Sequence, residues 1–132
     1  QNKAYYEKIF AQPHTLAPDR QEQAKKKIAI ETMTDKRVLT DGNHVIELHR
    51  LPNSLHNDGL IVAYLPKEKL RGQADAFTPS PANAPVPTPP SPATVHLADT
   101  IARLRLSVDQ LLPLHGRLVP LAELHRTIGR AN

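Results

Sequence analysis

Residues 79–93, "PSPANAPVPTPPSPA", hold more than half of the 13 prolines in this chain of 132 residues. Proline fixes φ and carries no amide hydrogen, so this stretch cannot supply a helix interior or a regular strand ladder. Regular structure must therefore be built on either side of it. Prolines clustered in this way point to one extended loop rather than general disorder. The loop either links two domains or lies within one. The residues after it favour the second reading. Residues 95–106 read as an amphipathic helix with Leu97, Ile101 and Leu104 on one face. "QLLPLHG" (110–116) reads as a short buried strand ending in His-Gly. Pro120 at a helix start, then Leu121, Leu124 and Ile128, then Gly129 as a stop, make a last helix.

Before the loop, residues 3–11 show Tyr5, Tyr6, Ile9 and Phe10 at helical spacing, and Pro13 ends the pattern. Pro18 reads as the first residue of a short polar helix through about Lys26. The period then changes. "KIAIETM" puts Ile28, Ile30 and Thr32 on one face, as a strand does. Asp41-Gly42 signals a hairpin turn. "HVIELHRL" follows as a strand, with Ile46, Leu48 and Arg50 on one face and Val45, Glu47 and His49 on the other. "LIVAYL" (60–65) is a continuous apolar run, expected for a strand buried on both faces. Residues 69–74 return antiparallel to it. The resulting order is α, α, β hairpin, β hairpin, proline loop, α, β, α. It predicts an α/β fold of stacked layers. The length suits one small domain. With 39% apolar but only 4% aromatic residues, its core is aliphatic.

Composition removes several classes of function. There is no cysteine, hence no disulfide, thiolate ligand or cysteine nucleophile. No run approaches the ~18–20 apolar residues of a membrane span, and no stretch of these residues reads as a signal peptide. The net charge of +4 is scattered apart from Lys25-Lys26-Lys27. That run reads as a solvated helix end, because no stacking aromatics are interleaved with it, and nucleic acid is not an expected partner. The first residues, "QNKAYYEKIF", lack an initiator methionine and read as the start of a trimmed or processed piece.

Three polar residues sit at the ends of apolar strands. His56 precedes 60–65, Asp75 ends the returning strand, and His115 ends 110–114. Strand ends project onto a common rim of a sheet, where sites form in layered α/β proteins. Two imidazoles and a carboxylate match the ligand set of zinc or a similar metal, and a carboxylate can bridge two ions. A plainer reading stands beside this one. His56 can be an ordinary loop residue, Asp75 can cap the turn at Thr78-Pro79, and His115-Gly116 can be a simple strand exit. Ser54 beside His56 suggests a serine hydrolase, but no Gly-x-Ser-x-Gly elbow occurs. There is no glycine-rich phosphate loop. His44, His49, His96 and His125 read as surface or helix-end residues, and His14 lies between prolines without a sequence partner.

The segments "HNDGLIVAYLPKEKL", "ADAFTP", "PANAPVPTPPSP" and "LHGRLVPLAEL", with "TDKRVLTDG" and "NKAYYEKIF", resemble the C-terminal part of a bacterial metallo-β-lactamase-fold hydrolase. The resemblance covers essentially all of residues 1–132. It implies the C-terminal half of an αββα sandwich, with 79–93 an ordered loop within it. It implies that His56 is the third histidine ligand of a first metal. Asp75 would be the bridging aspartate and His115 the last histidine, on a second metal. The cofactor implied is zinc, two ions in the intact protein.

Two departures matter. The motif His-x-His-x-Asp-His is absent, so this chain carries about half the ligands, and metal is expected to be weakly held or absent. The returning strand, apolar "LLIEAD" in the resembling branch, is Leu70-Arg71-Gly72-Gln73-Ala74-Asp75. Glycine weakens a strand, and a buried arginine without a partner is costly. Either the strand is bulged, or its face is exposed, or the branch has diverged. The expected function is part of a metal-dependent hydrolase acting on a small-molecule substrate. The alternative is a non-catalytic fragment or binding module that self-associates through an exposed sheet face. Expected partners are a second copy or the missing N-terminal half, with no nucleic acid and no membrane. The expected location is periplasmic or secreted, with cytoplasmic the alternative.

Overall fold

The computed structural model describes residues 2–13, 16–81 and 83–130; the reading of His14 lies outside them. The chain divides into two compact units, Gln1–Met33 and Thr34–Asn132.

In the first unit, α1 spans Lys3–Phe10 and buries no residue. Its aromatic side chains lie on one another: Tyr6 and Phe10 stack at 6.1 Å between ring centroids. The second helix, α2 (Arg20–Ala24), starts later than Pro18. Asp19 is its N-cap and accepts from the Glu22 amide at 2.9 Å. A carboxylate that satisfies an orphan amide fixes a helix start more firmly than a proline does. Lys25 closes the helix in the left-handed region at φ +50°.

The strand expected at 28–32 does not form; these residues are irregular. Alternating isoleucines make a strand only where a neighbour offers a ladder, and Ile28 remains 40% exposed. The partner of the "HVIELHRL" strand is instead β1 (Lys36–Thr40), all of whose residues are exposed. It pairs antiparallel with β2 (Val45–Arg50) across Asp41-Gly42. Asp41 holds that turn by accepting from the Asn43 and His44 amides.

The sheet continues with β3 (Ile61–Leu65), β4 (Leu70–Gln73), β5 (Gln110–Pro113) and β6 (Val119–Pro120), in the order β1-β2-β3-β4-β5-β6. Among the described residues, only β4 and β5 are parallel. The crossover between them carries α3 (Pro92–Arg103), which begins inside the proline run with proline in its first turn. The last helix is α4 (Leu121–Thr127), N-capped by Pro120.

The core lies on one side of this sheet. Tyr64, Leu111 and Val119 meet Leu97, Ala98 and Ile101 of α3 and Leu124 of α4. Full burial of each leucine contributes about 1.5–3 kcal/mol. The other side of the sheet is not covered in this way. In β3, Val62 and Tyr64 are buried while Ile61 is exposed and Ala63 and Leu65 are only half-buried. The strand is thus buried on one face, not two. Leu39, Ile61 and Leu112 on the open face are 45, 44 and 48% exposed.

Arg71 is neither in a bulge nor on an exposed face. The β4 register runs without interruption, with Tyr64 opposite Arg71 and Ala63 opposite Gly72. Strand alternation turns Arg71 inward with Gln73 and leaves Gly72 on the open face, where a methyl would find ordinary contact with Ala63 at 3.7 Å. Arg71 is 0% exposed.

Candidate functional site

The sheet register brings three strand ends together. In the parallel pair, Gln73 lies opposite Pro113. Two residues further on, the same register sets Asp75 beside His115. β3 enters the sheet at that end too, since it runs antiparallel to β4. The loop before it, 51–60, is pinned at both ends by the buried Leu51 and Leu60, whose backbones pair at 2.9 Å. His56 lies at its tip. Ser54 accepts from the His56 amide and Asn57 accepts from the Gly59 amide, so both shape the loop.

Asp75 stands between the two imidazoles. His56 Nε2 lies 3.4 Å from Asp75 Oδ2, and His115 Nε2 lies 3.3 Å from Asp75 Oδ1. Both contacts are longer than a well-formed N–H···O bond, so the carboxylate faces both rings without being tied to either. The side chains of His56, Asp75 and His115 are 47, 36 and 63% exposed, so the cluster is open to solvent. Asp75 itself has φ +63°, uncommon for any residue other than glycine. After His115, Gly116 turns the chain at φ +113°, where a Cβ would come within 3.1 Å of the Pro79 ring. Arg117 then grips Glu123 of α4 and donates to the Ser80 carbonyl, tying the start of the proline segment to this end of the sheet.

The three residues singled out from sequence therefore meet. Two imidazole nitrogens and a carboxylate are zinc-type donors. Each imidazole faces a different oxygen of Asp75. The fit to a single ion is poor. Among the described residues, no group of three His, Cys, Asp or Glu side chains is arranged to hold one metal ion.

One histidine departs from expectation. His49 is 5% exposed rather than a surface residue. Its Nε2 meets Glu47 at 2.9 Å, and Lys36 meets the other oxygen of Glu47. Burial pushes the Glu47 carboxyl up, but the Lys36 and His49 contacts outweigh it and hold the carboxyl below its ordinary value. Strand alternation had put Glu47 and His49 on one face; their burial depended on what packs there.

Solved structures similar to this chain include a metallo-β-lactamase from Pontibacter korlensis. The match has a TM-score of 0.54 and 16% identity, and covers 83% of this chain and 51% of that one. DIM-1 metallo-β-lactamase matches at a TM-score of 0.52 and 21% identity, over 83% and 51%. Rubredoxin oxygen:oxidoreductase from Desulfovibrio gigas matches at 0.57 and 15%, over 83% and 34%. No family model matches the chain, and no curated protein is significantly similar to it. At these identities the likeness is one of fold. The chain spans about half the length of the metallo-β-lactamases it matches.

Proposed function

On a chain that carries about half of a metallo-β-lactamase-type fold, we propose that His56, Asp75 and His115 are part of a two-ion metal site of a hydrolase. The observation that supports this is the single carboxylate facing two imidazoles through separate oxygens. His56 with one oxygen of Asp75 would hold one ion, and His115 with the other oxygen would hold a second. Zinc bound there supplies a Lewis acid that polarises the substrate's scissile group. The chain's own part is to hold the three donors on one rim and keep the carboxylate between the rings. The substrate is a small molecule of no assigned class, since the same fold carries both β-lactamases and an oxidoreductase.

Three donors shared by two ions leave each ion short of the four ligands zinc prefers. This chain by itself is therefore expected to hold zinc weakly and to turn over little substrate. Metal analysis of the purified chain after gel filtration checks this. Substoichiometric zinc is the expected result; tightly held stoichiometric zinc with turnover contradicts it.

A second reading rests on the open sheet face. Leu39, Ile61 and Leu112 lie on it, opposite the core and each a little under half exposed. An apolar sheet face of this kind is a surface for association, here with a second copy of the chain. Sedimentation at rising concentration should show a growing dimer. A single monomeric species throughout the range removes this reading.

A further inference from the structure

We infer that Gln73 is the positioning residue that sets Asp75 between His56 and His115. Asp75 is the centre of a three-residue turn: the Ala76 amide donates to the Ala74 carbonyl at 2.8 Å, and Asp75 has φ +63°. An i to i+2 bond about a residue of positive φ marks the rarer, strained form of the γ-turn. Such a conformation persists only when its surroundings over-determine it.

Gln73 supplies that constraint. It is 5% exposed and its side chain folds over the turn. Oε1 accepts from the Ala76 and Phe77 amides, both at 3.1 Å. Nε2 donates to the Phe77 carbonyl at 2.5 Å. One amide therefore meets two backbone donors and one backbone acceptor, and the Ala76 hydrogen is shared between Ala74 and Gln73. The turn is closed from outside as well: Thr94 of α3 donates to the Ala76 carbonyl at 3.3 Å, and Ala76 and Phe77 are buried. Meanwhile the Gln73 carbonyl accepts from the Leu114 amide, one residue before His115. Gln73 thus fixes the Asp75 side of the cluster through its side chain and the His115 side through its backbone. It touches none of the three donor groups.

The significance for metal rests on the reading of Asp75 as a shared ligand, so the test has a readout that needs no metal. Gln73→Met keeps the length and removes all three side-chain bonds. Gln73→Glu keeps the acceptor for both amides and, in its protonated form, a hydroxyl donor for the Phe77 carbonyl, so it is measured at a pH where the acid is neutral. In the metal-free chain, backbone carbon shifts and the amide-to-Hα coupling of Asp75 report its φ. The left-handed value is expected in the native chain and in Gln73→Glu, and lost in Gln73→Met. Zinc added to each is expected to shift the His56 and His115 imidazoles, with affinity lowered at least about tenfold in Gln73→Met and restored in Gln73→Glu.

If Gln73→Met keeps Asp75 left-handed, the inference is overturned. It is equally overturned if that φ is lost while zinc affinity stays native. No zinc response in the native chain would end the metal reading, and the metal-free φ would still decide the role of Gln73. Should Gln73→Met fail to fold, the native side-chain amide decides: slow exchange of the Gln73 Nε2 hydrogens supports the inference, and fast exchange overturns it.

Discussion

Replacing Arg71 with methionine is expected to stabilise the fold, by on the order of the 1–4 kcal/mol gained in favourable cases when a buried ion pair gives way to apolar side chains of similar volume. Arg71 is 0% exposed, and among the described residues none of its three guanidinium nitrogens has a hydrogen-bond partner. Its strand neighbours are Tyr64 and Leu111, both in the core. The Tyr64 hydroxyl donates to the Ser107 carbonyl at 2.7 Å and does not accept from the guanidinium. Burial pushes the Arg71 guanidinium down from its ordinary range to about 10, which still leaves the side chain charged at neutral pH. The native fold thus carries an uncompensated buried cation. Methionine fills most of the same space with a flexible apolar chain. Denaturant unfolding should show a higher midpoint with an unchanged slope. A lowered midpoint means that the guanidinium contributes an interaction absent from this structure.

Asp75→Ala is expected to lower zinc affinity at both His56 and His115 by on the order of 10–100-fold or more, the range lost when even a residue supporting a ligand is removed. His56→Ala is expected to abolish only its own response and leave that of His115 largely intact. The asymmetry follows from the geometry, since each histidine meets its own oxygen of Asp75 and neither meets the other through the carboxylate alone. Imidazole nitrogen shifts followed during zinc titration measure both responses in one sample. Independent behaviour of all three residues, with Asp75→Ala affecting one histidine only, contradicts a shared carboxylate.

Much of this was legible in the residues. The 60–65 run, its antiparallel return and the helix after the proline loop are set by hydrophobic period and turn chemistry, which are local. The meeting of His56, Asp75 and His115 was legible for a similar reason: Asp75 and His115 each follow a strand end, and His56 lies in the loop that leads into β3 at the same end of the sheet. What was not legible depended on partners. Ile28 and Ile30 alternate as a strand does, yet among the described residues no strand pairs with them. The true edge strand, Lys36–Thr40, is exposed throughout and so shows no buried face to announce it. Its Lys36 and Arg37 are the charges that edge strands carry against unwanted pairing. The two-residue β6 lies below the length at which periodicity exists. The inward turn of Arg71 follows from strand register, but its complete burial depends on what packs over that face. The left-handed Asp75 and the Gln73 amide beneath it come from a turn whose hydrogen bonds no residue pattern encodes.

The most direct measurement is a zinc titration of the native chain, with all seven histidines followed by imidazole nitrogen NMR. A site built on Asp75 predicts weak binding in which His56 and His115 respond first and together, while the remaining histidines stay unmoved until excess zinc. A response spread evenly over the histidines, or one that leaves His56 and His115 unmoved, contradicts it.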